Sequence, residues 1–170
     1  MLIALFFLCK KNEQNFLKWL DVMIPSIIVA LIFMHIGAFF DGINYGNETS
    51  LPWGVNFESP SIKYAVPIHP TQIYAFLYSI ITLVTLQLLK NAEKTKAIVA
   101  EQNGLISITG IIIYSTFKFL EEFLRGDDTW IILGVRISQV LTFVILITAI
   151  VIFYKKCYFL KPKQSAITTK

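Results

Sequence analysis

Four stretches of this chain are too long and too apolar to be half-buried elements of a water-soluble fold: roughly Val22–Phe40, Gln72–Leu89, Leu105–Leu124 and Ile137–Tyr154. A helix rises about 1.5 Å per residue, so about 20 apolar residues cross a hydrocarbon core of about 30 Å. Inside that core every backbone N–H and C=O must be paired within the protein, which favours helices for these runs. Charged residues make up 15% of the 170 positions, whereas soluble domains carry about 25%. The pattern predicts an all-α, polytopic transmembrane protein with about four full spans. Residues 1–9 are also apolar but reach only about half of a bilayer. They read as a partial N-terminal helix, the tail of a longer one, without the charged start and cleavage site of a signal peptide. The expected organisation is one transmembrane domain over 1–160, including the loop 41–71, followed by a cytoplasmic tail at 161–170.

Lysine and arginine alternate along the chain. Residues 10–21, 90–104 and 155–170 hold three, three and five of them, while 41–71 and 125–136 hold one and two. The positive-inside rule therefore assigns the first set, and with it the C-terminus, to the cytoplasm. The connections 41–71 and 125–136 then face outward. The net charge of +4 is this topological signal, not a nucleic-acid surface. Cys9 and Cys157 lie beside lysines at opposite ends of the chain, which suits neither a disulfide framework nor a zinc site. Both thiols are expected to be unpaired, and neither a metal nor a cofactor is expected.

With that topology, the polar residues gather at the outward end. His35 lies about a turn below the end of the first span, Asp41 begins the loop, and His69 closes it. Tyr74 and Tyr78 follow one and two turns into the second span. Tyr114, Lys118, Glu121 and Arg125 recur at spacings of four, three and four, on one helical face. Glu122 stands four residues after Lys118, a ready partner. Two readings are open for Lys118: a structural ion pair with a snorkelling ammonium, or a cation that faces a wet cleft and holds a phosphate. His35 is likewise either a packing residue or a polar group beside Gly37, where another backbone approaches. Glu121 and Glu122 are adjacent and point about 100° apart, so they do not form a catalytic dyad.

His69-Pro70 reads as a turn into a helix, with Pro70 in the first turn and Thr71 as a cap. The helix dipole there disfavours a charged imidazole, and a neutral one could act as a base. Pro25 is expected in the first turn of its span, where a missing N–H costs little. Gly42, Gly46 and Gly54 suggest tight turns. Tyr45, Trp53, Tyr64 and Trp130 read as interfacial anchors.

Three motifs occur in order: MHIGAFFDGINYG from Met34 to Gly46, HPTQIYA from His69 to Ala75, and YSTFKFLEEFLR from Tyr114 to Arg125. Together they resemble the C-terminal part of the bacterial prolipoprotein diacylglyceryl transferase family, from within its third helix to its end. Ile36, Gly37, Phe39, Gly42 and Gly46 match the family's glycine-rich hallmark. His69 to Tyr74 match its His-Pro-(Ser/Thr)-Gln-Leu-Tyr segment, with isoleucine for the leucine. Tyr114, Glu122, Phe123 and Arg125 match the later pattern. His35 and Lys118 stand where the family carries arginines, Ala38 replaces an asparagine, and Ile43 and Ala75 replace glutamates. A His-Gly-Gly segment of the family would precede Met1.

The resemblance implies transfer of a diacylglyceryl group from phosphatidylglycerol to the lipobox cysteine of a prolipoprotein signal peptide, at the outer leaflet of the bacterial plasma membrane. It implies catalytic roles for His35, His69, Lys118 and Glu122. It implies substrate binding by His35, Gly46, Tyr74, Tyr114, Lys118 and Arg125. The alternative from a different class is a non-catalytic lipid- or partner-binding membrane module on the same scaffold.

Overall fold

The computed structural model describes residues 2–57, 62, 65–92, 103–132 and 134–158. The helices are α1 (Leu2–Lys11), α2 (Phe16–Asp41), α3 (Thr71–Asn91), α4 (Leu105–Glu121) and α5 (Ile137–Tyr158). Two short strands, β1 (Ile131–Ile132) and β2 (Val135–Arg136), pair antiparallel just before α5. The chain is an all-α membrane protein. Among the described residues, three helices are long and apolar enough to cross a bilayer: α2, α3 and α5 over Ile137–Lys156. The fourth expected span is shorter than its apolar run, because α4 has 17 residues and the chain turns tightly after Glu121, with the Leu124 N–H donating back to the Glu121 carbonyl.

Helix α2 begins at Phe16, ahead of the apolar run, because Asn15 caps it: its Oδ1 accepts from the Leu17 N–H at 3.0 Å. Pro25 consequently falls in the helix interior and not in its first turn. A proline there leaves the carbonyl four residues earlier without its helical donor. That carbonyl belongs to Asp21, and the Lys90 ammonium from α3 donates to it at 3.4 Å. The far end of α2 closes on Gly42, whose φ of 65° is the left-handed conformation that glycine adopts without strain.

Helices α2, α3 and α4 pack on one another around Ile28, Leu86 and Ile106, flanked by Ile24, Leu83 and Leu89. Buried hydroxyls in this interior are paired within their own helix. Ser79 donates to the Ala75 carbonyl and Thr82 to the Tyr78 carbonyl, each at 2.7 Å, so neither donor is left facing hydrocarbon. Helix α5 packs along α4 and exposes Val140, Leu141, Val144 and Ile147, an apolar face suited to lipid.

The start of α4 is capped from another helix. Gly104 at the N-cap has no side chain, and Asp21 of α2 accepts from the Gly104 N–H at 2.5 Å and the Ser107 N–H at 2.7 Å. A carboxylate on the first amides of a helix meets both their unpaired donors and the helix dipole. Asp21→Ala is expected to cost about 1–2 kcal/mol, read as a lower thermal midpoint in detergent. An unchanged midpoint would dismiss the cap.

At the opposite end of the bundle, three loop segments are bound by their backbones. Gly46 N–H donates to the His69 carbonyl at 3.0 Å, and Asn47 N–H to the Leu124 carbonyl at 2.8 Å. His69 N–H donates to the Asn47 carbonyl at 2.9 Å, and Gly126 N–H to the Tyr45 carbonyl at 3.0 Å. Tyr45 is buried in this junction and is not an interfacial anchor. Trp53 and Trp130 are exposed as expected of anchors. Tyr64, the Cys157 side chain and the tail 161–170 lie outside the described residues. Cys9 is a free, buried thiol. Thr71 does not cap α3. Its hydroxyl donates to the Asn44 carbonyl at 2.5 Å, so it ties the helix to the loop instead.

Candidate functional site

Below the loop junction lies a polar cavity of about 300 Å³ between α2, α3 and α4, bordered by the start of α5. His35, Asn44, Gln72, Tyr114, Lys118, Glu121, Glu122, Arg125 and Ser138 are among its lining. The spacing on α4 accounts for Tyr114, Lys118 and Glu121 sharing that face. Arg125 lies past the helix end, not on the helical face its spacing suggests, and reaches the cavity from the bridge it forms with Gly46. His35 reaches it from α2, with Nε2 at 3.3 Å from the Tyr114 hydroxyl.

The charges inside the cavity are extensively paired. The Lys118 ammonium lies 2.8 Å from Glu121 Oε1 and 3.2 Å from Glu122 Oε1. Its two carboxylates occupy the i+3 and i+4 positions, which straddle one side chain on a helix. Glu121 also accepts from the Tyr78 hydroxyl at 2.6 Å, and Glu122 from the Ser138 hydroxyl at 2.7 Å. Both glutamates are buried. The two carboxylates thus act as one clamp on Lys118, although they are not an acid–base dyad. Arg125 donates to Asn44 Oδ1 at 2.8 Å, which joins the loop after α2 to the end of α4.

A second, apolar groove of about 230 Å³ runs between α2, α4 and α5, past Ile24, Ile28, Leu31, Ile111 and Ile145. It ends at Tyr114 and Lys118, which therefore line both spaces. The site joins a polar, charged compartment to a hydrocarbon-lined one through Tyr114 and Lys118. Such a pair of compartments fits an amphiphile with an anionic head.

Three of the site residues expected from sequence lie elsewhere: His69, Tyr74 and Gly46. His69 Nδ1 is 3.1 Å from the Tyr74 hydroxyl, which also accepts from the Trp53 indole N–H at 2.9 Å. Neither His69 nor Tyr74 lines the polar cavity; Tyr74 borders a separate apolar groove with Leu77, Tyr78 and Phe117. Gly46 is a backbone contact in the junction above. A Cβ there would stand 2.5 Å from His69 Cβ and 2.9 Å from the Leu124 carbonyl oxygen. Among the described residues no cluster of three or more His, Cys, Asp or Glu side chains is spaced for a metal ion.

A model of the prolipoprotein diacylglyceryl transferase family matches residues 1–155. The chain belongs to that family. Among curated relatives, a phosphatidylglycerol–prolipoprotein diacylglyceryl transferase of Clostridium tetani is 35% identical over 152 residues, 89% of this chain and 58% of the relative. One of Finegoldia magna is 32% identical over 157 residues, 91% of this chain and 58% of the relative. One of Campylobacter lari is 32% identical over 145 residues, 83% of this chain and 49% of the relative. The chain thus spans roughly half the length of these relatives.

In this member of the prolipoprotein diacylglyceryl transferase family, sequence reasoning missed the residues that brace the site from the 125–138 segment. Arg136 donates to Glu122 Oε2 at 3.2 Å and to Asp127 Oδ1 at 2.7 Å. Arg125 donates to Asp127 through Nε at 2.8 Å and also through Nη2. No helical spacing connects these groups, so periodicity had no signal for them. Asp127 bridges two arginines and holds the hairpin that carries Trp130 against the end of α4.

Burial raises the Asp127 carboxyl, but its bonds to Arg125 and Arg136 outweigh that and hold it below the ordinary value of 3.8. A lowered folded pKa means the contribution is complete above the unfolded value and is lost as pH falls through the folded one. The hairpin is expected to loosen below pH 3.8, read as faster amide exchange over 126–136. Asp127→Asn is expected to exchange fast already at neutral pH. Slow exchange in that variant would show that the carboxylate does not hold the hairpin.

Proposed function

We propose that this chain carries the phospholipid site of a transferase that moves a diacylglyceryl group from phosphatidylglycerol to the lipobox cysteine thiol of a prolipoprotein signal peptide. The observation that carries the reading is the lining shared by polar cavity and apolar groove at Tyr114 and Lys118. A phospholipid bridging the two leaves its phosphate beside Lys118 and runs an acyl chain along Ile28, Leu31 and Ile111.

In the reaction a sulfur–carbon bond forms while the bond between the glycerol carbon and the phosphate oxygen breaks. Glycerol phosphate departs with that electron pair, and the thiol proton passes to a base, since the thiolate is the nucleophile. Lys118 and Arg125 meet the charge that gathers on the departing phosphate. Glu121 and Glu122 hold Lys118 at its post. Of the two histidines, His35 suits the chemistry better, because it lines the cavity beside Tyr114. Its imidazole serves either as a donor to the phosphate or as the base. The lysine and arginine distribution supports a plasma-membrane protein with the loop end outward and the C-terminus cytoplasmic.

The test is incubation of the purified, folded chain with phosphatidylglycerol and a lipobox peptide, followed by mass analysis. The expected result is a diacylglyceryl thioether on the peptide cysteine. No product beside an active control would reject catalysis by this chain. Lipid binding without product would leave the non-catalytic module as the reading.

A further inference from the structure

The polar cavity contains one group that the reaction as described does not use. Gln72 is 1% exposed and lines the cavity beside Asn44 and Arg125. Its Nε2 donates to the Ile43 carbonyl at 2.7 Å. A carbonyl only accepts, so the amide's orientation is set and Oε1 must look for a donor elsewhere. That oxygen is buried and has no hydrogen-bond partner among the described residues. Lys118, Arg125 and Ser138 donate to other groups, and no described donor reaches this oxygen. An unmet buried acceptor is a standing penalty that a ligand's donor would remove.

We propose that Gln72 Oε1 accepts a hydrogen bond from a hydroxyl of the bound headgroup and so selects hydroxylated anionic phospholipids over equally charged ones that lack a hydroxyl. The inference rests on the lipid-site reading above and adds its specificity element. Charge alone does not make this distinction: Lys118 and Arg125 answer the phosphodiester, whatever alcohol it carries. A neutral amide oxygen answers the alcohol. A headgroup without a donor buries Oε1 unpaired, which is how a polar site rejects the analogue that lacks the matching group.

The experiment is competitive lipid binding to the whole chain in mixed micelles, read by native mass spectrometry. Dioleoyl phosphatidylglycerol is compared with dioleoyl phosphatidylethanol, which bears the same charge and no hydroxyl, and with dioleoyl phosphatidylcholine. Wild-type protein is expected to prefer phosphatidylglycerol over phosphatidylethanol by about tenfold. Gln72→Met is expected to bring the two to parity, by weakening phosphatidylglycerol alone. Equal binding of the two anionic lipids by wild type would overturn the assignment of Gln72 and leave the lipid site standing. A preference that survived in Gln72→Met would overturn it equally. Binding of neither anionic lipid above phosphatidylcholine would remove the lipid site and this inference with it. The wild-type comparison decides even where the variant does not fold.

Discussion

Replacing Lys118 by alanine is expected to abolish binding of anionic phospholipid, whereas Lys118→Arg retains most of it. Among the described residues the ammonium is the one cation that lines both compartments, so its loss leaves the polar end of the groove bordered by Glu121 and Glu122. Those carboxylates are 5% and 2% exposed. Removing one partner of a buried ion pair costs about 3–5 kcal/mol, because the remaining charge is uncompensated. The alanine variant should therefore also melt earlier. Arginine keeps the charge, reaches at least as far and adds a fork for a phosphate. It separates the two effects: stability and binding both return if the cation serves the ligand. Titration with phosphatidylglycerol micelles, alongside thermal unfolding, measures both. Equal loss of lipid binding in the two variants, with the arginine protein folded, would reduce Lys118 to a structural ion pair.

Gly46→Ala is expected to be strongly destabilising. The added methyl would lie 2.6 Å from the His69 carbonyl oxygen and 2.9 Å from that of Leu124. Both obstacles are backbone, and both carbonyls are engaged: His69 accepts from Gly46 itself and Leu124 from Asn47. The methyl can be accommodated only by parting the loops, which breaks those bonds and moves Arg125 away from Asn44. A loss of at least about 3 kcal/mol is expected, at the upper end for overpacking, together with new protease cleavage in 43–70. Gly37→Ala supplies the control. Among the described residues nothing lies within 4 Å of its Cβ, so no other backbone approaches there as the sequence suggests, and alanine in place of a mid-helix glycine should add about 0.5–1 kcal/mol of stability. A Gly46→Ala protein that melts with wild type would mean the junction does not hold the site.

Much of this architecture is legible in the sequence wherever a period or a composition carries it. The apolar runs locate the helices because hydrocarbon admits little else, and the spacing on α4 places Tyr114, Lys118 and Glu121 on one face, while Arg125 reaches the site from the turn beyond the helix. Helix starts are less legible, since Asn15 sets the beginning of α2 through one hydrogen bond that hydropathy does not register. Pro25 looked like a first-turn residue for that reason alone. His69 was expected at the site because it sits in a motif. Its backbone instead pairs with Gly46 and Asn47, and its ring turns to Tyr74. Gln72 belongs to the same motif, yet its significance depends on the Ile43 carbonyl from a loop distant in the chain. The Arg136–Asp127 brace comes from irregular backbone, where no repeat exists to be read.

The carboxylate of Asp21 reaches the amides of Gly104 and Ser107 across separations of 83 and 86 positions. Until α2 and α4 meet, the leading amides of α4 have only water to answer them. The remedy is carried by a helix made long before it, so the start of α4 settles only once α2 has come alongside. A lesion at Asp21 should then surface as fraying of the α4 start in protein that still reaches the membrane.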